Sequence, residues 1–129
     1  MEELSEKKAS VEAPVVAYRR RLENGKLGYQ RCTDCSAALF YPRVLCPFCG
    51  SSALEWCESV GRGTVYATTA VHTRNRAPRN VVLVDLDEGF RMMSRIEGVP
   101  AEEVEIGTRV RFEVHQEDEP VAVFVREES

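Results

Sequence analysis

Between residues 32 and 49 the chain reads C-T-D-C-S-A-A-L-F-Y-P-R-V-L-C-P-F-C. Two Cys-x-x-Cys pairs stand ten residues apart, and no other feature limits the fold as sharply. A two-residue gap lets a tight turn aim both thiolates of a pair at one centre, so two such turns supply four ligands. Four thiolates around Zn²⁺ make a closed tetrahedral site. The metal also supplies folding energy, because a ribbon of about 35 residues buries too little apolar surface to fold alone. Gly50 follows the second pair, where a knuckle takes a residue tolerant of positive φ. Ser36 holds the equivalent place after the first pair and predicts a less ideal turn there.

Other chemistries stay open for Cys32, Cys35, Cys46 and Cys49. Four thiolates also suit iron, and C-P-F-C-G resembles a rubredoxin knuckle. A redox dithiol of the thioredoxin kind carries one such pair next to a βαβ pattern, whereas this chain has two pairs and no such pattern. The N-terminal M-E-E-L-S-E-K-K-A-S-V-E lacks the apolar core of a signal peptide, and no stretch is apolar enough to span a bilayer. The cytoplasm is therefore the expected compartment, where thiols stay reduced. A structural zinc ribbon with one ion per chain is the favoured reading. Cys57 lies in a predicted strand with Leu54 and Trp56 and reads as a small, half-buried apolar filler.

Around the cysteines the chain divides into a disordered tail (1–13), an N-terminal helix (14–26), the ribbon (27–60) and a β domain (61–129). Pro14 suits a first helical turn, and Asn24-Gly25 a stop. Val15, Tyr18 and Leu22 form the expected apolar stripe. Arg19, Arg20 and Arg21 read as a solvated face or as a dock for an acidic partner. In the ribbon, strands are expected at 27–31, 39–45 and 53–59. From Gly61 the texture becomes β-branched and aromatic, with five strand candidates bounded by turns and one short helical turn at 100–104, before the fourth. Val110, Phe112 and Val114 alternate with Arg109, Arg111 and Glu113, the period of a half-buried strand. The fold class is mainly β: an N-terminal helix, a rubredoxin-like zinc ribbon, then a five-stranded OB-fold barrel. A five-stranded barrel of another topology is the alternative.

No catalytic constellation is present. There is no nucleophile elbow and no phosphate-cradling glycine loop, and a four-Cys site leaves no position for substrate. His72 is a weak acid/base candidate, and His115 reads as a surface residue. The most informative loop is H-T-R-N-R-A-P-R-N, residues 72–80, with Arg74, Arg76 and Arg79 and no acid. It stands in a half of the chain, residues 61–129, that holds nine Arg and thirteen Asp/Glu. Arginine forks hold phosphates bidentately, so the loop is a candidate for the phosphate end of a coenzyme or nucleotide. A solvated loop is the plain alternative.

The order of parts resembles a known family. L-x-Y-Q-R-C-x-x-C, Y-P-R-x-x-C-P-x-C-G, L-E-W, G-R-G-T-V-Y, V-V-L-V-D-L-D-E-G and I-G-T-R-V-R-F follow one another across roughly residues 14–126. Together they are similar to the rubredoxin-like zinc-ribbon/OB-fold proteins associated with acyl-CoA enzymes. The resemblance implies a non-catalytic accessory subunit in a hetero-oligomer with a thiolase-superfamily enzyme (thiolase, acyltransferase or retro-aldolase) or with a hotdog-fold enoyl-CoA hydratase. It implies acyl-CoA as ligand and zinc on Cys32, Cys35, Cys46 and Cys49; the arginine loop, with Arg74, Arg76 and Arg79, is then the candidate to meet the CoA phosphates. Val15-Val16 stands where many members carry an aromatic pair, and Pro78-Arg79-Asn80 where Pro-Tyr is usual. The rival is a module for single-stranded nucleic acid, since OB grooves bind single strands. A net charge of −4 and a balanced or acidic charge in each half count against it.

Overall fold

The computed structural model describes residues 13–127. The expected tail, 1–13, therefore lies outside the described residues except for Ala13. Helix α1 spans Pro14–Glu23, with proline in its first turn and Arg20 and Arg21 in its last. Its C-terminus closes through the N–H groups of Asn24 and Gly25, bonded to Arg21 O and Leu22 O. The buried residues of α1 are Ala17 and Leu22, while Val15 is 55% exposed. Of the expected stripe, Tyr18 and Leu22 face inward, and Ala17 is buried in place of Val15. Tyr18 finds an aromatic partner, Phe40, at 5.3 Å.

The ribbon is a three-stranded sheet in the order β2-β1-β3, with β1 Gly28–Cys32, β2 Ala38–Leu39 and β3 Leu54–Glu58. The strand expected over 39–45 ends at Leu39. Tyr41 adopts φ 65°, which turns the chain away from β1. The buried Gln30 amide holds the new course: its Nε2 donates to Arg43 O at 2.8 Å, and Arg43 N–H donates to its Oε1 at 2.7 Å.

The barrel contains β4 Arg62–Val71, β5 Arg79–Leu86, β6 Arg91–Ser94, β7 Ile96–Glu97, β8 Arg109–Gln116 and β9 Pro120–Arg126. A 3₁₀ turn, Ala101–Glu103, stands before β8, where a short helical element is expected. The sheet order is β6-β5-β4-β8-β9-β7. The third strand is split: β6 pairs antiparallel with β5, and β7 pairs parallel with β9. Arg95 is the break, and its carbonyl already accepts from Phe124 N–H at 3.0 Å. One strand thus changes partner and closes the sheet on itself, the topology of an OB barrel. Closure needs curvature, supplied by a bulge between Val65 and Ala67 in β4. Asn80 repeats the device of Gln30. Its buried amide donates to Ile96 O at 2.9 Å and accepts from Ile96 N–H at 2.7 Å, tying β5 to β7.

In β5 the residues alternate in burial, so Val82, Val84 and Leu86 enter the core with Val65, Met92, Val110 and Phe124. Leu27 and Tyr29 join the same core from the ribbon side. Tyr29 stacks on Phe90 at 4.7 Å, and Phe40 stacks on Phe90 at 5.5 Å. Ribbon, helix and barrel are therefore packed through one aromatic cluster. Glu88, in the β5–β6 turn, reinforces the junction by accepting from Ser59 Oγ at 2.8 Å and Val60 N–H at 2.7 Å. Among the described residues no helix is long and apolar enough to cross a membrane.

Candidate metal centre and arginine loop

The two Cys pairs fold into matching knuckles. Cys32 N–H donates to Ala37 O and Ser36 N–H to Cys32 O, at 2.9 and 2.8 Å. Cys46 N–H donates to Ser51 O and Gly50 N–H to Cys46 O, both at 2.8 Å. The residue that closes each turn has positive φ, 67° at Ser36 and 78° at Gly50. Serine thus takes the conformation that glycine takes in the other knuckle. Ser51 Oγ donates to the Asp34 carboxylate, and Thr33 N–H donates to Ala53 O at 2.9 Å, so the knuckles are laced together.

This arrangement brings the Sγ atoms of Cys32, Cys35, Cys46 and Cys49 within 4.8 Å of one another. Cys32 Sγ lies 3.5 Å from Cys49 Sγ, and Cys35 Sγ 3.6 Å from Cys46 Sγ. A disulfide needs about 2.05 Å, and no cysteine is in one. A tetrahedron with metal–sulfur bonds of about 2.3 Å has edges of about 3.8 Å, so the donor set fits a tetrathiolate ion. Cys32 and Cys46 are buried and the other two exposed. The Cys35 N–H, and then that of Asp34, hold the Cys32 thiol down at about 7. Phe48 N–H points at Cys46 Sγ, at 3.4 Å. Four thiolates in one site repel one another unless a cation sits among them. Nothing is left open for substrate, so the chemistry available here is structural.

Cys57 is half-buried and packs against the barrel core, as a filler does. The two histidines face carboxylates: His72 Nε2 lies 3.3 Å from Glu102, and His115 Nε2 lies 3.4 Å from Glu113. The arginine loop is exposed from residue 72 to residue 79. Arg74 and Arg76 sit in the turn, beside Asn75 at φ 66°, and Arg79 is the first residue of β5 rather than part of the loop. Arg62, Arg91, Arg95, Arg109 and Arg111 each meet a carboxylate. Arg74, Arg76 and Arg79 do not, among the described residues. Beside Arg79 a groove of about 580 Å³ runs between β5, β6 and β9, floored by Val81, Met93, Val121 and Ala122. Sequence reasoning found the arginines but not this groove, because its walls come from three separate strands.

The chain matches two family models, "ChsH2, rubredoxin-like zinc ribbon domain" over residues 19–55 and "ChsH2, C-terminal OB-fold domain" over residues 56–115. A probable enoyl-CoA hydratase alpha subunit of Thermomonospora curvata is 34% identical over 66% of this chain and 28% of its own length. A DUF35 domain-containing scaffold protein of Methanothermobacter thermautotrophicus is 30% identical over 64% of this chain and 66% of its own. The chain thus spans less than two thirds of the curated relatives it matches. Among solved structures, a chain of an Ltp2-ChsH2(DUF35) aldolase superposes with TM-score 0.77 and 26% identity, over 90% of this chain and 96% of that one. A DUF35 protein of unknown function from Sulfolobus solfataricus shares the fold, with TM-score 0.67 and 15% identity.

Proposed function

We propose that this chain, which belongs to the DUF35 family of ChsH2-type zinc-ribbon and OB-fold proteins, acts as a non-catalytic accessory subunit of an acyl-CoA-processing enzyme. The observation that carries the reading is the likeness over nearly the full length of both chains to a chain of an aldolase assembly. The relatives called scaffold proteins point the same way. The ion is zinc, held by Cys32, Cys35, Cys46 and Cys49, and its part is to keep the ribbon in shape against the barrel.

Arg74, Arg76 and Arg79 meet the phosphates of the CoA thioester, supported by their exposure and by their lack of carboxylate partners among the described residues. The catalytic partner is a thiolase-superfamily enzyme. A hotdog-fold hydratase is the second reading, favoured by the relative called a hydratase alpha subunit. Tagged protein purified from its native cell carries a stoichiometric thiolase-like or hydratase-like chain if the reading holds. Ribosomal or polymerase subunits with bound nucleic acid would replace it with the rival. Arg74→Glu, Arg76→Glu and Arg79→Glu together weaken CoA binding or complex formation at least tenfold with zinc content unchanged; unchanged binding removes the loop from the site.

A further inference from the structure

Where the C-terminal end of α1 meets β1 and β3, a cavity of about 370 Å³ opens, lined by Arg20, Arg21, Asn24, Lys26, Trp56 and Glu58. The chain has one tryptophan, and this is its place. The Arg21 guanidinium lies 4.6 Å from the Trp56 ring centroid. Gly28 makes that packing possible: a Cβ there would sit 2.5 Å from Arg21 Cδ and 3.2 Å from Trp56 Cε3. Arg21 donates one N–H to Ala17 O at 3.3 Å and meets no carboxylate among the described residues. Lys26 faces Glu58 at 3.7 Å, a contact between two side chains each more than half exposed. Glu58 is the one acid in the lining.

A guanidinium fork, an ammonium and an aromatic face around one concavity form the recognition set for phosphate esters. The fork takes two oxygens, the ammonium adds a point charge, and the ring backs the guanidinium as a cation–π platform. None of these residues belongs to the arginine loop or to the metal centre. We propose that this cavity binds a small phosphate-bearing ligand of the diphosphate or nucleoside diphosphate class. Arg21 grips the phosphate oxygens bidentately, and Lys26 turns from Glu58 to join it. The site goes beyond the accessory-subunit reading and is built from different elements.

Trp56 reports binding directly, because a ligand that draws on Arg21 changes what covers the indole. The full chain with its metal is titrated with sodium pyrophosphate and with ADP at constant ionic strength, following tryptophan emission. The expected result is a saturable change whose half-saturation rises at least tenfold in Arg21→Gln and in Lys26→Gln and is unmoved in Arg76→Gln. Tighter ADP than pyrophosphate places the base in the cavity; equal affinities assign the phosphates alone, and both support the site. An absent or linear response overturns it. So does an equal loss in Arg76→Gln, which moves the binding to the β4–β5 loop. The Lys26 side chain is exposed and its ion pair is with Glu58, while its backbone bond to Arg21 O survives substitution, so that variant decides the matter even if Arg21→Gln folds poorly.

Discussion

Stripping the metal should unfold the ribbon and leave the barrel standing. The ribbon's own buried cluster is Cys32, Leu39 and Cys46, with Ala37 and Leu54 partly buried against it. Two of its three buried members are ligands, so leucine packing is nearly all that remains without the ion. Burying one leucine contributes about 2 kcal/mol. Ordering the 21 residues from 33 to 53 costs more than about 1 kcal/mol each in backbone entropy alone. That is about tenfold more than this packing returns, so the bound ion carries the ribbon's folding energy. The barrel core, by contrast, draws nine of its eleven buried residues from Val65 to Phe124. Backbone amide exchange, read residue by residue before and after chelation, tests this. Protection at 30–54 falls to that of a random chain, while β4, β5 and β8 keep theirs. Ribbon amides that stay protected after elemental analysis shows the ion gone would refute the reasoning, and so would loss of both regions together.

Elemental analysis of the purified chain gives one zinc per chain; stoichiometric iron with a visible thiolate charge-transfer band would replace that ion. Gly50→Ala costs about 1 kcal/mol by denaturant unfolding of the ribbon, since its φ of 78° is strained for alanine although a Cβ there meets nothing within 4 Å. Asn80→Ala costs about 2–4 kcal/mol by the same measurement, because both backbone groups of Ile96 lose their partner in a buried place. Asp87 is held below its ordinary range by its hydrogen bonds from Arg109. Its stabilisation is therefore fully present above the unfolded value of about 4 and is lost as pH falls through the lower folded value. Thermal midpoints of the wild type and Asp87→Asn, apart at neutral pH, converge in acid.

Spacing and period were legible in the linear chain because they act locally. Two Cys-x-x-Cys turns close by their own backbone bonds, so the four thiols that converge could be named. Alternation placed the strands of the barrel, because one side chain in two must face a core. The arginines of residues 72–80 stood out by charge alone, while the absence of a carboxylate partner among the described residues shows only in the folded chain.

The rest depended on partners distant in sequence. Val15 fits a helical stripe as well as Ala17 does, and only the fold decided that Ala17 joins Tyr18 and Leu22 on the inward face. A strand over 39–45 satisfies β propensity, yet Gln30, thirteen positions before Arg43, bonds its backbone and turns the chain at Tyr41. The third barrel strand reads as one run, but it breaks at Arg95 because its two halves pair with β5 and with β9. The Trp56 cavity arises where a helix end, a glycine and a second strand converge. Local pattern determines which elements form, since each residue's own conformational preferences carry that information. Which side chain clamps which backbone is decided when remote segments meet, and only the folded chain brings them to hydrogen-bond distance.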